Sequence, residues 1–297
     1  RVILPTFMVA GAGAGLQRWR KLPVGPLSQL MLYLLAPALV INSVLNADIQ
    51  PGASLRVVGV SLAATLAGLV GAALVSGALR HSRALQAGFV LGTGFPNAGN
   101  MALPITLLAF GQPGLSVAVI LFVTQSATGW LVGGVVAARS GGASMSTAVR
   151  QVARMPMMYG AFVGLALRGS GITLPFAIAR PIEMLGQAAI PLMLLILGFQ
   201  LSQGIDWARW RSLLTAVGWR LLVGPAIALG IALASGLEGV ALATVVVVSG
   251  MPTGVFTTIL ATEFKAEPRF VTSAVVATTL ASLATLTVLI TLMQHWD

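Results

Sequence analysis

Residues 84–110 read ALQAGFVLGTGFPNAGNMALPITLLAF, an apolar run without a charged side chain that is interrupted by the segment PNAGN at 96–100. The apolar pieces before and after this segment have 12 and 10 residues. As α-helix each piece is roughly 15–18 Å long, which is about half of the ~30 Å hydrocarbon core of a bilayer. The stretch therefore predicts a membrane helix that is broken near mid-depth.

A second run, GVALATVVVVSGMPTGVFTTILAT at 239–262, has the same organisation and is broken at Pro252-Thr253-Gly254. Proline lacks an amide donor and glycine loosens the backbone. Because unpaired peptide groups cannot face lipid, we expect both breaks to line protein or a watery cavity. The alternative is a pair of proline kinks that packing absorbs.

The composition identifies a membrane protein. Of 297 residues, 57% are hydrophobic and only 8% are charged, whereas soluble domains carry roughly 25% charged residues. The mean hydropathy is +0.94. These values exclude a soluble globular protein and a disordered chain, and the lack of cysteine excludes a disulfide scaffold.

Uninterrupted apolar runs alternate with polar linkers, which predicts an all-α membrane protein with ten transmembrane helices. Strands of a membrane β-barrel would instead show about 10 residues of alternating polarity. Because the chain begins at Arg1 and the first run is short, we expect a few residues to precede it, and there is no sign of a cleavable signal peptide. The predicted spans 1 to 10 are 2–16, 27–46, 57–79, 84–110, 114–138, 155–168, 175–202, 212–235, 239–262 and 270–293.

Basic residues between the spans set the predicted orientation. One side holds twelve of them and the other side four, so the positive-inside rule places the first side in the cytoplasm and both termini outside. The net charge of +10 is thus a topology signal, and we expect no nucleic-acid partner. The cytoplasmic set is Arg18, Arg20, Lys21, Arg80, Arg83, Arg139, Arg150, Arg154, Arg209, Arg211, Lys265 and Arg269; the outer set is Arg1, Arg56, Arg168 and Arg180.

The chain reads as two halves, 1–138 and 154–297, joined by a polar cytoplasmic connector at 139–153. Pro37 and Pro96 in the first half are 59 residues apart, and Pro191 and Pro252 in the second half are 61 apart. Five spans per half force the second copy to enter the membrane inverted, as in secondary transporters. The alternative is that proline is simply common in membrane helices.

Each break creates a new helix N-terminus at mid-depth. We expect the second half-helices to begin at about Asn97 and Thr253, residue types that cap N-termini. Free N–H groups and the positive end of the helix dipole would favour an anion there. The pattern therefore predicts a carboxylate site without a buried lysine or arginine.

Four segments resemble the auxin efflux carrier family, which includes plant PIN carriers and bacterial malonate carriers and shares a wider fold with bile-acid sodium symporters. The resemblance covers nearly the whole chain and is strongest around the two breaks. The segments are GFPNAGNMALPITLLAFGQPG (94–114), GQAAIPLMLLILGFQLS (186–202), GMPTGVFTTILATEF (250–264) and SAVVATTLASLATLTVL (273–289).

The resemblance implies a bacterial carrier of a small organic anion, auxin-like or malonate-like, in the inner membrane. It implies a scaffold from spans 1, 2, 6 and 7, and a transport domain from spans 3–5 and 8–10, in which spans 4 and 9 cross. It also implies an elevator-type mechanism and a homodimer. Residue by residue, Pro96 and Asn97 form the first crossover, and Pro252 and Thr253 form the second. Thr253 departs from the asparagine common in plant carriers.

Other polar residues within the spans are weaker candidates for substrate contacts. Asn100, Gln125 and Ser126 are predicted to lie beside the first crossover. Asn42 faces the cavity or hydrogen-bonds between helices, and both readings stay open. Arg220 in span 8 is expected to snorkel to the cytoplasmic edge, the alternative being that it attracts the anion.

All seven acids fall at span ends or in linkers, which disfavours coupling to sodium through a carboxylate. No metalloprotease, serine-hydrolase or nucleotide-binding motif is present, so we expect a transporter that is not an enzyme and needs no cofactor or metal. The alternatives are a sodium-coupled symporter of the bile-acid type and a non-transporting membrane sensor.

Overall fold

The computed structural model describes residues 2–46, 51–138, 156–202 and 204–296, so the predicted connector at 139–153 lies outside the described residues. Over these ranges the protein is all-helical, with no strand beyond one isolated bridge. Its eleven helices are α1 (Ile3–Arg20), α2 (Val24–Leu45), α3 (Pro51–Ala78), α4 (Arg83–Gly94), α5 (Ala102–Ala138), α6 (Pro156–Ser170), α7 (Phe176–Leu201), α8 (Trp207–Ala234), α9 (Gly239–Ser249), α10 (Phe256–Glu263) and α11 (Pro268–Gln294).

Six of these helices, α2, α3, α5, α7, α8 and α11, are long and apolar enough to cross a membrane. This finding confirms the class of helical membrane protein. The two runs predicted to be broken are indeed interrupted, since α4 ends at Gly94 before α5 begins at Ala102, and α9 ends at Ser249 before α10 begins at Phe256. The count of ten spans stays a prediction.

Two helices contain a π-helical turn, at Met31–Leu35 in α2 and at Trp219–Val223 in α8. Each turn is followed two residues later by a proline, Pro37 or Pro225. Proline cannot donate to the carbonyl four residues earlier, so the hydrogen-bond ladder is disturbed just before it. Such π turns are frequent at functional sites.

Glycine divides α5 into two helical segments. Gly111 has φ 66° and ψ −157°, a conformation that side-chain-bearing residues rarely adopt, and Pro113 follows it. The segment before Gly111 completes the apolar run that begins in α4, and the longer segment after it corresponds to predicted span 5. The sharp turn thus separates spans 4 and 5 without a linker.

The helices pack in two groups. In the first group, α7 packs against α1 and α2, and α6 packs against α2. In the second group, α3 packs on α4, α5 and α8, α9 packs on α5 and α8, and α11 packs on α4 and α8 to α10. Buried side chains form one core cluster around α7, α9 and the start of α5, and a second around α4, α10 and the start of α11.

Small residues bring the helices of the first group together. A Cβ at Gly13 of α1 would lie 2.5 Å from the Leu195 carbonyl oxygen of α7, and one at Gly198 of α7 would overlap the Ala10 carbonyl of α1. A Cβ at Gly160 of α6 would lie 2.9 Å from the Pro37 carbonyl oxygen of α2. Close backbone approach at small residues is the usual basis of helix association in membranes.

We predict that Gly13→Ala destabilises the protein, because its methyl group meets the backbone of α7. Overpacking of this kind costs about 1–3 kcal/mol. The measurement is the thermal unfolding midpoint in detergent. Gly11→Ala on the same helix is the matched control, since a Cβ at Gly11 meets nothing within 4 Å. Equal midpoints for the two variants would contradict the packing of α1 on α7.

His81 lies in the linker between α3 and α4, and it joins α3 to α8, two helices of the second group. Its Nδ1 lies 2.9 Å from the Ser76 hydroxyl oxygen and its Nε2 lies 2.9 Å from that of Ser212 on α8. Burial, and secondly the charge of Arg209, lower the pKa of His81 below its ordinary value. The folded protein therefore favours the neutral ring, whereas the unfolded chain takes up the proton at higher pH.

The stability that neutral His81 contributes is present above the unfolded pKa of about 6.5 and is lost as the pH falls through the lower folded pKa. We therefore predict that acidification from about pH 8 to about pH 5 lowers the unfolding midpoint more in the wild type than in His81→Gln. Glutamine keeps a donor and an acceptor but does not titrate. An equal fall of the unfolding midpoint in both proteins would show that His81 does not contribute to the pH dependence of stability.

Candidate functional site

A cavity of about 460 Å³ lies between the two breaks and helices α2, α5 and α7. Its size suits a small organic molecule. Among the described residues that line it, none is charged. The polar lining is Ser28, Tyr33, Asn97, Asn100, Gln125, Ser126 and Gln200, and the larger apolar and aromatic lining is Met31, Phe122, Trp130, Met193, Ile196 and Phe256.

The two breaks touch each other behind this cavity. The Asn97 amide donates to the Pro252 carbonyl over 2.7 Å, and the Gly254 amide donates to the Phe95 carbonyl over 2.9 Å. Pro96 and Thr253 form an isolated antiparallel bridge between these bonds. Each break thus supplies partners for peptide groups that the other releases, as the absence of water from a membrane interior requires.

Unpaired donors belong to residues that line the cavity just before α5 and at the start of α10. In the part of the chain that the structure describes, the amides of Gly99, Asn100, Val255 and Phe256 have no hydrogen-bond acceptor, and all four residues line the cavity. The Asn97 Nδ2 group is also without a partner, although the residue is only 4% exposed. An anion that accepts several hydrogen bonds would satisfy these donors.

The predicted start points and caps of the second half-helices are wrong. The helices begin at Ala102 and Phe256, several residues later than expected. The Thr253 hydroxyl caps neither helix but donates to the Gly92 carbonyl across the contact, and Val255 precedes α10 without a side-chain cap. The residues between the predicted and the observed helix starts form the turn and the contact between the breaks.

Gln125 on α5 carries a second set of hydrogen bonds into the cavity wall. Its Nε2 lies 2.9 Å from the Ser61 hydroxyl oxygen and 2.7 Å from that of Thr65, both on α3, while its Oε1 has no partner.

Arg220 does not snorkel to the surface, and that expectation is wrong. The side chain is 4% exposed, its Nη1 donates to the Thr93 carbonyl over 2.9 Å, and its Nη2 donates to the Ser249 carbonyl. Those carbonyls lie at the C-terminal ends of α4 and α9, where the helix dipole is negative and favours a cation. The arginine therefore stays buried because two helix ends bind it.

Comparison with known proteins gives the family. A family model described as "membrane transport protein" matches residues 2–290 of this chain. The chain belongs to this family. The class of helical membrane protein and the resemblance to auxin efflux carriers are thereby confirmed.

Three relatives illustrate the range of this transporter family. An uncharacterized transporter of Methanocaldococcus jannaschii is 26% identical over 204 residues, covering 66% of this chain and 65% of the relative. A probable auxin efflux carrier component 1b of Oryza sativa is 32% identical over 133 residues, covering 43% and 24%. A putative malonate transporter of Rhizobium meliloti is 24% identical over 211 residues, covering 67% and 65%. The chain thus spans just under two thirds of two of these relatives and about a quarter of the rice carrier.

The structure brings most of the predicted site residues of this family member together. Pro96, Asn97, Asn100, Gln125 and Ser126 all line the cavity. Pro252 and Thr253 are fully buried behind it and hold the contact between the breaks. The cavity lining does not include Asn42, whose side-chain oxygen accepts a 3.0 Å bond from Asn46 near the end of α2.

Several cavity residues were not predicted from the sequence. Gln200 is a buried residue near the end of α7, and its Oε1 has no partner in the described structure. Trp130 and Phe256 pack with ring centroids 5.9 Å apart and form an aromatic wall. An amide within an apolar run is a signal that could have marked Gln200, whereas aromatic residues in a membrane helix carry no such signal.

We predict that Thr253→Val destabilises the protein by about 1–3 kcal/mol, because the Gly92 carbonyl loses the hydroxyl that donates to it inside the protein. The measurement is the free energy of unfolding from denaturant titration in detergent. Thr253→Ser keeps the hydroxyl and serves as the matched control. If Thr253→Val is as stable as Thr253→Ser, the hydrogen bond from Thr253 to the Gly92 carbonyl does not stabilise the protein.

Proposed function

We propose that this transporter moves a small organic anion with a carboxylate group across the membrane by alternating access. The observation that carries the proposal is the set of unpaired donors at the cavity, namely four backbone amides and the Asn97 side chain. Helix N-termini and amide groups favour a carboxylate without a fixed counter-charge. We assign substrate contacts to Asn97, Asn100, Gln125 and Ser126 beside Pro96, with Pro252 and Thr253 supporting them.

The cavity walls favour a monocarboxylate with a flat apolar body. Phe122, Trp130 and Phe256 offer aromatic surface, and the unpaired backbone donors belong to the two breaks, which contact each other. A dicarboxylate such as malonate would need a second group of donors, whereas an indole carboxylate would place its ring against the aromatic wall. One relative is named as an auxin efflux carrier and another as a malonate transporter, so both classes enter the test.

The proposed architecture is an inverted repeat of residues 1–138 and 154–297, with 139–153 as the connector and with spans 4 and 9 crossing at the breaks. Spans 1, 2, 6 and 7 would form a scaffold, and the other spans a transport domain that moves as an elevator. The packing of α1, α2, α6 and α7 with one another supports this division. The contact between Pro96 and Thr253 supports the crossing.

The proposed energy source is the membrane potential. None of the acids in the described parts of the chain is buried, and the lining of the cavity contains no carboxylate that would hold sodium. Export of a monoanion from a negative interior gains about 2.3 kcal/mol per 100 mV. A coupling ion is therefore not needed for export.

The proposed setting is the cytoplasmic membrane of a bacterium, with both chain termini outside and the protein as a homodimer. The orientation rests on the basic residues between spans, of which twelve fall on one predicted side. The dimer rests on the family resemblance alone.

We predict that purified protein in liposomes takes up labelled indole-3-acetate in sodium-free buffer, and takes it up faster when the lumen is made electrically positive. Asn97→Ala should lower the initial rate about tenfold, because a buried donor to a charged group is lost. The measurement is filtration uptake, with labelled malonate as the second substrate.

Asn46→Ala is the matched control, because this exposed amide lies at the end of α2 away from the cavity. An absolute requirement for sodium would overturn the energy source proposed above. Full activity of Asn97→Ala would overturn the assignment of the site, and uptake of malonate alone would overturn the preference for an aromatic monocarboxylate.

A further inference from the structure

One side chain contacts the two breaks at matching positions. Arg220 binds the carbonyl of Thr93, which is three residues before Pro96, and the carbonyl of Ser249, which is three residues before Pro252. The residues bound lie in different halves of the chain. A single guanidinium with several donors in a fixed fork is suited to hold two acceptors at once.

Both carbonyls are free because the breaks withdraw their usual donors. In a continuous helix the Thr93 carbonyl would accept from the Asn97 amide, and the Ser249 carbonyl from the Thr253 amide. Instead the Asn97 amide donates to Pro252 over 2.7 Å, and the Thr253 amide donates to the Thr278 hydroxyl over 3.0 Å. Arg220 thus replaces one missing amide donor in each broken helix.

The sequence around Arg220 makes room for this role. The residue lies within the π-helical turn Trp219–Val223, which Pro225 follows. Gly224 leaves space for the guanidinium, since a Cβ there would lie 3.0 Å from the Arg220 Nη2. Arg220 is also the only buried charged side chain among the described residues. A buried cation of this kind costs several kcal/mol unless charge-assisted hydrogen bonds offset it.

We propose that Arg220 is a positioning residue that couples the two breaks. It fixes the C-terminal ends of α4 and α9 relative to each other, and through the Asn97–Pro252 and Gly254–Phe95 bonds it sets the spacing of the unpaired amides on the cavity. The consequence for anion affinity rests on the proposed function, whereas the coupling of the breaks does not. The residue acts through the backbone, since it is not part of the cavity lining.

A positive charge alone would predict a different behaviour from a two-armed hydrogen-bond donor. Lysine keeps the charge but is a compact point charge that lacks the planar fork of arginine. If charge is the function, Arg220→Lys behaves as the wild type. If the fork is the function, Arg220→Lys and Arg220→Met both loosen the breaks.

The test is amide hydrogen exchange, followed by mass spectrometry, on the full chain in lipid nanodiscs. We expect Arg220→Lys and Arg220→Met to speed exchange at both 93–97 and 249–254, on the order of tenfold for each, because a charged hydrogen bond is lost on each side. Exchange in α1 and α7 should stay unchanged. Arg211→Met is the matched control, because Arg211 lies exposed on the same helix.

Faster exchange at only one break, at neither break, or in Arg220→Met but not in Arg220→Lys would overturn the coupling. If Arg220→Met does not fold, Arg220→Lys decides the question by itself. A second arm measures the dissociation constant of labelled indole-3-acetate by equilibrium dialysis, and the lysine variant should bind about tenfold more weakly. Failure of the wild type to bind would overturn the proposed substrate, while the exchange arm would still decide the coupling.

Discussion

The rest of the structure depends on one requirement, that peptide groups released inside an apolar protein find hydrogen-bond partners. Two breaks in membrane-embedded helices release carbonyls and amides where water is scarce. Carbonyls at both breaks accept hydrogen bonds within the protein. Arg220 donates to those of Thr93 and Ser249, and the Thr253 hydroxyl donates to that of Gly92. The amides of Gly99 and Asn100 before α5, and of Val255 and Phe256 at the start of α10, have no acceptor among the described residues. Because the unpaired backbone groups identified at the cavity are amide donors and no described lining residue is charged, we propose a negative ligand there.

A site built from neutral amides would also allow the proposed anion to leave. A buried lysine or arginine in the cavity would leave an unpaired charge whenever the site is empty, and such a charge is costly in low dielectric. Neutral amides lose less when the anion leaves, since each contributes one hydrogen bond of ordinary strength. Among the described residues Arg220 is the one buried cation; it is not part of the cavity lining, and the negative ends of two helix dipoles favour its charge. The proposed preference for an anion and its reversible binding would thus follow from the same arrangement.

The sequence allowed the helical class and the positions of both breaks to be predicted, because apolar length and proline placement are local signals. It also placed Asn97 and Gln125 at the cavity. The roles of Thr253 and Arg220 could not be predicted, because the hydroxyl binds a carbonyl 161 residues away and the guanidinium binds one 127 residues away. Those contacts arise only when the two halves of the chain pack together. Without that packing, a threonine after a proline is interpreted as a helix cap, and an arginine within a span is interpreted as a side chain that snorkels to the membrane edge.

The position of the cavity between the two helix groups bears on the mechanism that we propose. The unpaired donors belong to the breaks, in the second group, whereas Met193, Ile196 and Gln200 of α7 line the opposite side and belong to the first group. An anion held by the donors would therefore travel with the second group if that group moved along the first. Its apolar body would exchange one set of unspecific apolar contacts for another, which costs little. Such a movement needs one helix group that binds the carboxylate and another that presents a largely apolar surface to it.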